Sequence, residues 1–166
     1  MSSGIEIFQD MEPDVIYACE KILSRLAGDK LEEINREWVD VKEMEVPHRH
    51  IAFVGLRGDF QGSCFMLVMK EEAEELIIDV MGATGMPVSK EEKIQVSLEE
   101  LTNMIAGFVF SELNDWYDYE VEFTTPVYRK DYEVVDSGQV GNALKVNCNF
   151  TQGGLDLYFL IVPERN

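Results

Sequence analysis

The chain is poor in positive charge. Its 14 Lys and Arg stand against 32 Asp and Glu, a formal net charge of −18 over 166 residues. Nucleic acid and anionic membrane faces select Lys/Arg-rich surfaces, so both are excluded as expected partners. No apolar run reaches the roughly 18 residues that suggest a bilayer span, and no basic stretch leads into an apolar one at the N-terminus. Neither a membrane span nor a signal peptide is therefore expected. Cysteine is scarce as well. Cys19, Cys64 and Cys148 are odd in number and far apart, which fits neither a zinc pattern nor a redox pair and predicts buried, reduced thiols. Together these features point to the cytoplasm. The signatures of self-contained catalysis are also missing. Gly55, Gly58 and Gly62 are too sparse for a phosphate loop and no G-K-[ST] follows. No Ser/His pairing carries a nucleophile signature.

What the chain does have is a composition fit for a core: 46% hydrophobic and 28% charged residues describe a folded chain. With no linker and no repeat period, residues 1–166 read as a single domain. An apolar stripe of Val15, Cys19, Ile22, Leu23 and Leu26 predicts a first helix over 12–28, entered through Pro13 and closed by Gly28. Residues 29–36 are charged and unassigned, and 38–46 suggest extended structure up to Pro47. Residues 50–56 and 63–69 read as a hairpin. A short helix over 73–82 follows, then a loop, then Ser89 as the cap of a long helix, with Glu92 completing a capping box. Strands are expected over 120–124, 143–150 and 155–162, the last two joined by a turn at 151–154, and residues 126–140 read as a loop or irregular excursion. The fold class is α+β, with helices on one face of a largely antiparallel sheet and a long helix at its centre.

That long helix, over about 91–113, carries the most informative stretch. Ile94, Leu98, Leu101, Ile105, Val109 and Leu113 recur at steps of three and four, one face of a helix. Glu100, Asn103 and Gly107 fall near the opposite face, with Met104 and Ser111 beside them. Asn and Gly are poor helix formers, costing about 0.5 and 1 kcal/mol against Ala, and neither position is a cap. Such a face presents a carboxylate and a carboxamide beside a shallow notch, where Gly107 lets another backbone come close. The same pattern also fits an ordinary solvated face.

Other candidate groups are less telling. His48 and His50 would share a face of an extended segment, but no third metal ligand is identifiable. The acidic run Glu71, Glu72, Glu74 and Glu75 reads as a solvated helix start. Trp38, Trp116 and the tyrosines read as core or interface.

Glu100-Leu101-Thr102-Asn103-Met104-Ile105-Ala106-Gly107 resembles the E-x-x-N motif helix of the CheX/CheC/FliY phosphatase family of bacterial chemotaxis. The likeness covers about 45–130. The 51–63 segment resembles the family's paired strands around a G-x-x-x-G turn, 74–82 the helix ending in Met-Gly, and Thr125-Pro126-Val127 the T-P-[TV] segment. The chain is most similar to CheX, which has one motif copy, because Leu23 stands where a second motif beginning at Glu20 would need Asn. Phe108 departs from the small or polar residue often found after the motif glycine, and could change how closely a partner docks. The segment after Pro126 lacks a common Gly.

The resemblance implies a phosphatase acting on the aspartyl phosphate of a CheY-like response regulator. Asn103 would orient the attacking water and Glu100 would pair with the receiver's active-site Lys, as the catalytic residues. Met104 and Gly107 would contact the partner. The chain itself would bind no cofactor or metal; the Mg²⁺ would sit in the receiver. The family also implies a homodimer joined through sheet edges, for which the strands after residue 140 are plausible contributors. A non-catalytic receiver-binding or dimerisation module of the same fold is the alternative, and an unrelated acidic α+β domain a third possibility.

Overall fold

Local sequence signals place the helices. The computed structural model describes residues 9–40, 48–59, 61–68, 71–132 and 142–162. Helix α1 (Glu12–Ala27) has Pro13 in its first turn and ends at Gly28, whose φ of +57° suits a residue without a Cβ. Helix α2 spans Glu71–Val80 and helix α3 spans Lys90–Tyr117. The Ser89 side chain caps α3 by accepting the amide of Glu92, satisfying one of the orphan donors of the first turn. The helix runs one turn beyond the expected end, to Asp118, which adopts the left-handed conformation.

The strands are β1 (Leu31–Asp40), β2 (His48–Gly58), β3 (Gln61–Val68), β4 (Val121–Phe123), β5 (Val127–Tyr132), β6 (Asn142–Phe150) and β7 (Gly153–Val162). They form one sheet in the order β1-β6-β7-β3-β2, antiparallel at every pairing, with β4 and β5 both on the outer side of β2. The expected hairpins β2–β3 and β6–β7 are both present, the second closed tightly with Phe150 opposite Gly153.

Three expectations about strands change. Residues 31–37, unassigned from sequence, belong to β1, whose ladder runs along β6 with an irregularity between Leu31 and Glu33. As an edge strand it is largely exposed, so it shows no two-residue apolar period. The expected extension through 41–47 lies outside the described residues. Residues 127–132, read as loop, form β5 along the first half of β2; a charged strand at the sheet's margin carries little apolar signal. The remainder of that excursion, 133–141, lies outside the described residues. Finally, β6 and β7 are interior strands with partners on both sides. Their edges are unavailable to a second copy, contrary to the expectation for strands after residue 140. Among the described residues the margins of the sheet are β1 at one end and β4 with β5 at the other.

The helices cover one face of this sheet, as expected. Alternate residues Val54 and Leu56 of β2, Leu144 and Val146 of β6, and Leu157 and Phe159 of β7 join the same core as Val15, Cys19 and Leu23 of α1. The entire α3 stripe from Ile94 to Leu113 is buried in it. Helices α1 and α3 run antiparallel: Asp14 accepts the Tyr117 hydroxyl, and Tyr17 lies beside Trp116. The opposite face of the sheet also holds buried side chains, at Ile51, Ala143, Tyr158 and Leu160. Cys19 and Cys148 are buried thiols, as expected; the Cys64 side chain lies outside the description. No described helix is long and apolar enough to cross a membrane.

Candidate functional site

Burial of the α3 stripe decides which way the motif points. With Leu98, Leu101 and Ile105 fully buried, Glu100 and Asn103 are turned outward, and both are exposed. Neither side chain makes a hydrogen bond or ion pair with a described residue. They border an open cleft of about 520 Å³ lined by α3 on one side and by Phe123, Thr124, Thr125 and Pro126 on the other. Two of the residue types expected from the sequence are thus brought to one hollow, one helical turn apart.

The second wall of the cleft arises from the way β4 and β5 share β2. Phe123 pairs with Leu56 and Val127 with Phe53. Residues 124, 125 and 126 therefore face only residues 54 and 55 of β2, three against two. The extra residue bows the chain outward as a bulge does, and Pro126 brings no amide to the ladder. Thr124 ties the bow down. Its hydroxyl accepts the Gly55 amide at 2.8 Å and its amide donates to the Gly55 carbonyl at 2.9 Å. At the far end of α3, the Asn114 side chain donates to the Val121 carbonyl and accepts the Val121 amide, both at 3.2 Å. This fixes the start of β4 relative to the helix. The close approach at Gly58 (φ +105°), where a Cβ would come within 2.2 Å of the Glu120 carbonyl oxygen, secures the same corner.

Met104 and Gly107 are half-buried beside Asn103. The expected notch at Gly107 has an occupant within the chain: a Cβ there would stand 3.4 Å from the Phe123 ring. Gly107 thus seats the cleft wall. Phe108, the departure from the family pattern, is half-buried and turned toward α1, where Lys21 and Arg25 lie over its ring at 5.4 and 5.7 Å. Neither the β4–β5 wall nor the placement of these two cations was identified from sequence. The T-P-V segment was the one available signal for the wall. The cations gave none, because only packing of α1 on α3 brings them near the motif.

Two other groups resolve differently from their sequence reading. Glu74 is buried, not part of a solvated helix start, with 1% of its side chain exposed. One carboxylate oxygen lies 2.8 Å from His50 Nε2 and the other 3.7 Å from Lys90 Nζ. Buried charge of this kind persists only when it is paired. His50 Nδ1 is 2.6 Å from the Tyr128 hydroxyl. Both ring nitrogens of His50 are therefore engaged within the protein, tying β2, β5, α2 and the start of α3 together. The His48 side chain lies outside the description. No group of three or more His, Cys, Asp or Glu among the described residues is arranged to hold a metal.

Chemically, the cleft offers a carboxamide with one acceptor and two donors, a carboxylate, and the residues Thr124 and Thr125 on its other wall. These groups are suited to positioning and pairing.

The sequence profile of the family described as chemotaxis phosphatase CheX matches residues 50–144, which include the motif helix and the cleft wall. The chain belongs to this family. No curated protein matches it. Solved structures agree in fold. The CheX of a CheX-CheY-BeF3-Mg+2 complex from Borrelia burgdorferi is 17% identical, with a TM-score of 0.69 over 93% of this chain and 97% of that one. A chemotaxis protein CheX from Desulfovibrio desulfuricans is 14% identical, with a TM-score of 0.66 over 92% and 99%. A CheC-like superfamily protein from Shewanella sp. PV-4 is 20% identical, with a TM-score of 0.65 over 94% and 98%.

Proposed function

We propose that the protein hydrolyses the aspartyl phosphate of a CheY-like receiver domain. The observation that carries this reading is the pairing of exposed Glu100 and Asn103 at one cleft, in a chain of the CheX family. Phosphoryl transfer through a loose transition state asks chiefly for positioning and electrostatic stabilisation. An Asn does not titrate, so Asn103 acts by holding a water in line with the phosphoryl group. Glu100 pairs with the Lys of the receiver's own active site and so sets the depth of docking. The receiver brings the phosphoaspartate and its Mg²⁺. A CheX crystallised with CheY, BeF3 and Mg²⁺ supports a partner of this kind.

The test is phosphate release from CheY-type receivers of the same organism, charged with acetyl phosphate, with and without the protein. The wild type accelerates release from at least one receiver. Asn103→Ala loses on the order of 100-fold of that acceleration, the scale of a lost positioning group. Leu101→Ala, a buried truncation, lowers stability by about 2–5 kcal/mol without a specific catalytic defect. Full activity in Asn103→Ala rejects the water-positioning role, and a receiver that binds without accelerated release identifies a non-catalytic binding module.

A further inference from the structure

Lys21 and Arg25 stand apart from the other described cations. Lys30, Arg36, Arg57, Lys90, Lys130 and Lys145 each pair with a carboxylate of the chain. Lys93 and Arg129 donate to backbone carbonyls. Lys21 and Arg25, one turn apart on α1, have no oxygen partner among the described residues and lie over the ring of Phe108 instead. In a chain of net charge −18, two neighbouring cations without a carboxylate partner among the described residues are a local exception.

Their place makes the exception useful. At roughly 100° per residue, Phe108 lies about 140° round α3 from Asn103, with Gly107 and Met104 between them. The outward strip of α3 is thus flanked by the 124–126 wall at Asn103 and by Lys21 and Arg25 at Phe108. An aspartyl phosphate with bound Mg²⁺ needs surrounding carboxylates and phosphoryl oxygens as hard ligands. The surface that carries it is anionic, and this protein's net charge repels such a surface on approach.

We propose that Lys21 and Arg25, held over Phe108, form a cationic lip that receives acidic side chains at the rim of the receiver's phosphorylation site. The inference rests on the receiver-phosphatase reading above. The ring holds the two cations in place through cation–π attraction without supplying a negative charge to neutralise them. Rim charges of this kind act on encounter and on salt dependence, not on the chemical step.

The experiment uses the full chain and the BeF3⁻/Mg²⁺-charged receiver of the same organism that the wild type binds most tightly. Binding to the BeF3⁻/Mg²⁺-charged receiver and dephosphorylation of the acetyl-phosphate-charged receiver are measured for wild type, K21E/R25E, K21Q/R25Q and Asn103→Ala. K21E/R25E should bind about tenfold more weakly, with turnover at saturating receiver unchanged. K21Q/R25Q, which keeps the side-chain stems against α3, should fall between. The difference from wild type should shrink toward 1 M NaCl, where screening acts within about 3 Å. Asn103→Ala should show the reverse pattern, bound but slow. Wild-type binding by both double variants, with Asn103→Ala inactive, overturns the cationic lip and leaves the phosphatase reading standing. Weakened binding by K21E/R25E, with no acceleration by any variant or the wild type, removes the phosphatase reading and keeps the docking surface.

Discussion

Thr124 and Gly55 hold each other by two hydrogen bonds, the Gly55 amide to the Thr124 hydroxyl and the Thr124 amide to the Gly55 carbonyl. One side chain thereby pins the bowed wall of the cleft to the strand behind it. Thr124→Val keeps the shape and removes the hydroxyl, leaving the Gly55 amide without its partner. We expect a loss of about 1 kcal/mol in urea unfolding and a several-fold drop in receiver dephosphorylation, both restored in Thr124→Ser. An unchanged rate in Thr124→Val shows that the wall position does not matter to turnover.

The end of α3 carries a conformational cost. Asp118 is the one non-glycine among the described residues with positive φ, at 57°, and its carboxylate sits where the helix dipole disfavours negative charge. Asp118→Gly removes both penalties and should raise stability by about 1 kcal/mol. Asn114→Ala removes both bonds to Val121 and should lower stability by about 1–3 kcal/mol. Thermal melts of the two variants should move in opposite directions; a shared direction refutes the account of this corner.

The His50–Glu74–Tyr128 group, with His50 and Glu74 buried and Tyr128 half-buried, predicts a marked asymmetry between substitutions. Tyr128→Phe leaves one ring nitrogen unpartnered and should cost about 1–3 kcal/mol. Glu74→Ala removes the buried carboxylate beside His50, leaves Lys90 paired with exposed Glu75, and should cost more, about 3–5 kcal/mol. Exposed Glu75 pairs with Lys90 at 2.9 Å, and Glu75→Ala should change stability by less than about 1 kcal/mol. Equal losses at Glu74 and Glu75 contradict the burial contrast.

Stability at alkaline pH should report the buried thiol of α1. Burial raises Cys19 from 9.0 to about 12, and burial also raises Cys148, with smaller contributions from Cys19 and Asp156. The folded state holds its thiol proton while the unfolded chain releases it. Stability is therefore insensitive to this group below pH 9 and falls as pH rises from 9 toward 12, by at most about 1.4 kcal/mol per pH unit per thiol. Cys19→Ala should be less stable at neutral pH and show a shallower alkaline decline. Parallel declines for variant and wild type rule out this contribution.

The family resemblance leads us to expect a symmetric homodimer, now with β6 and β7 excluded as edges. Sedimentation at tens of micromolar, an order-of-magnitude choice for a stable assembly, should give twice the chain mass. Hydrogen exchange should slow at β1 or at the β4–β5 margin on association. A monomer at that concentration refutes the expectation.

The helices, the two hairpins and the outward face of the motif could be read directly from the residues. Their signals are local: caps, turn glycines, and an apolar stripe whose period leaves Glu100 and Asn103 one way to point. Tertiary structure alone decided the rest. Glu74 looks like its exposed neighbours until β2 brings His50 against it, because burial depends on what packs above a residue. β5 and most of β1 were illegible because a strand at a sheet margin is held by backbone pairing, which any side-chain pattern permits. Gly107 reads as a bare notch until β4 lays Phe123 over it. Lys21 and Arg25 are more than eighty residues from Phe108, and only the antiparallel packing of α1 on α3 sets these two cations beside the motif.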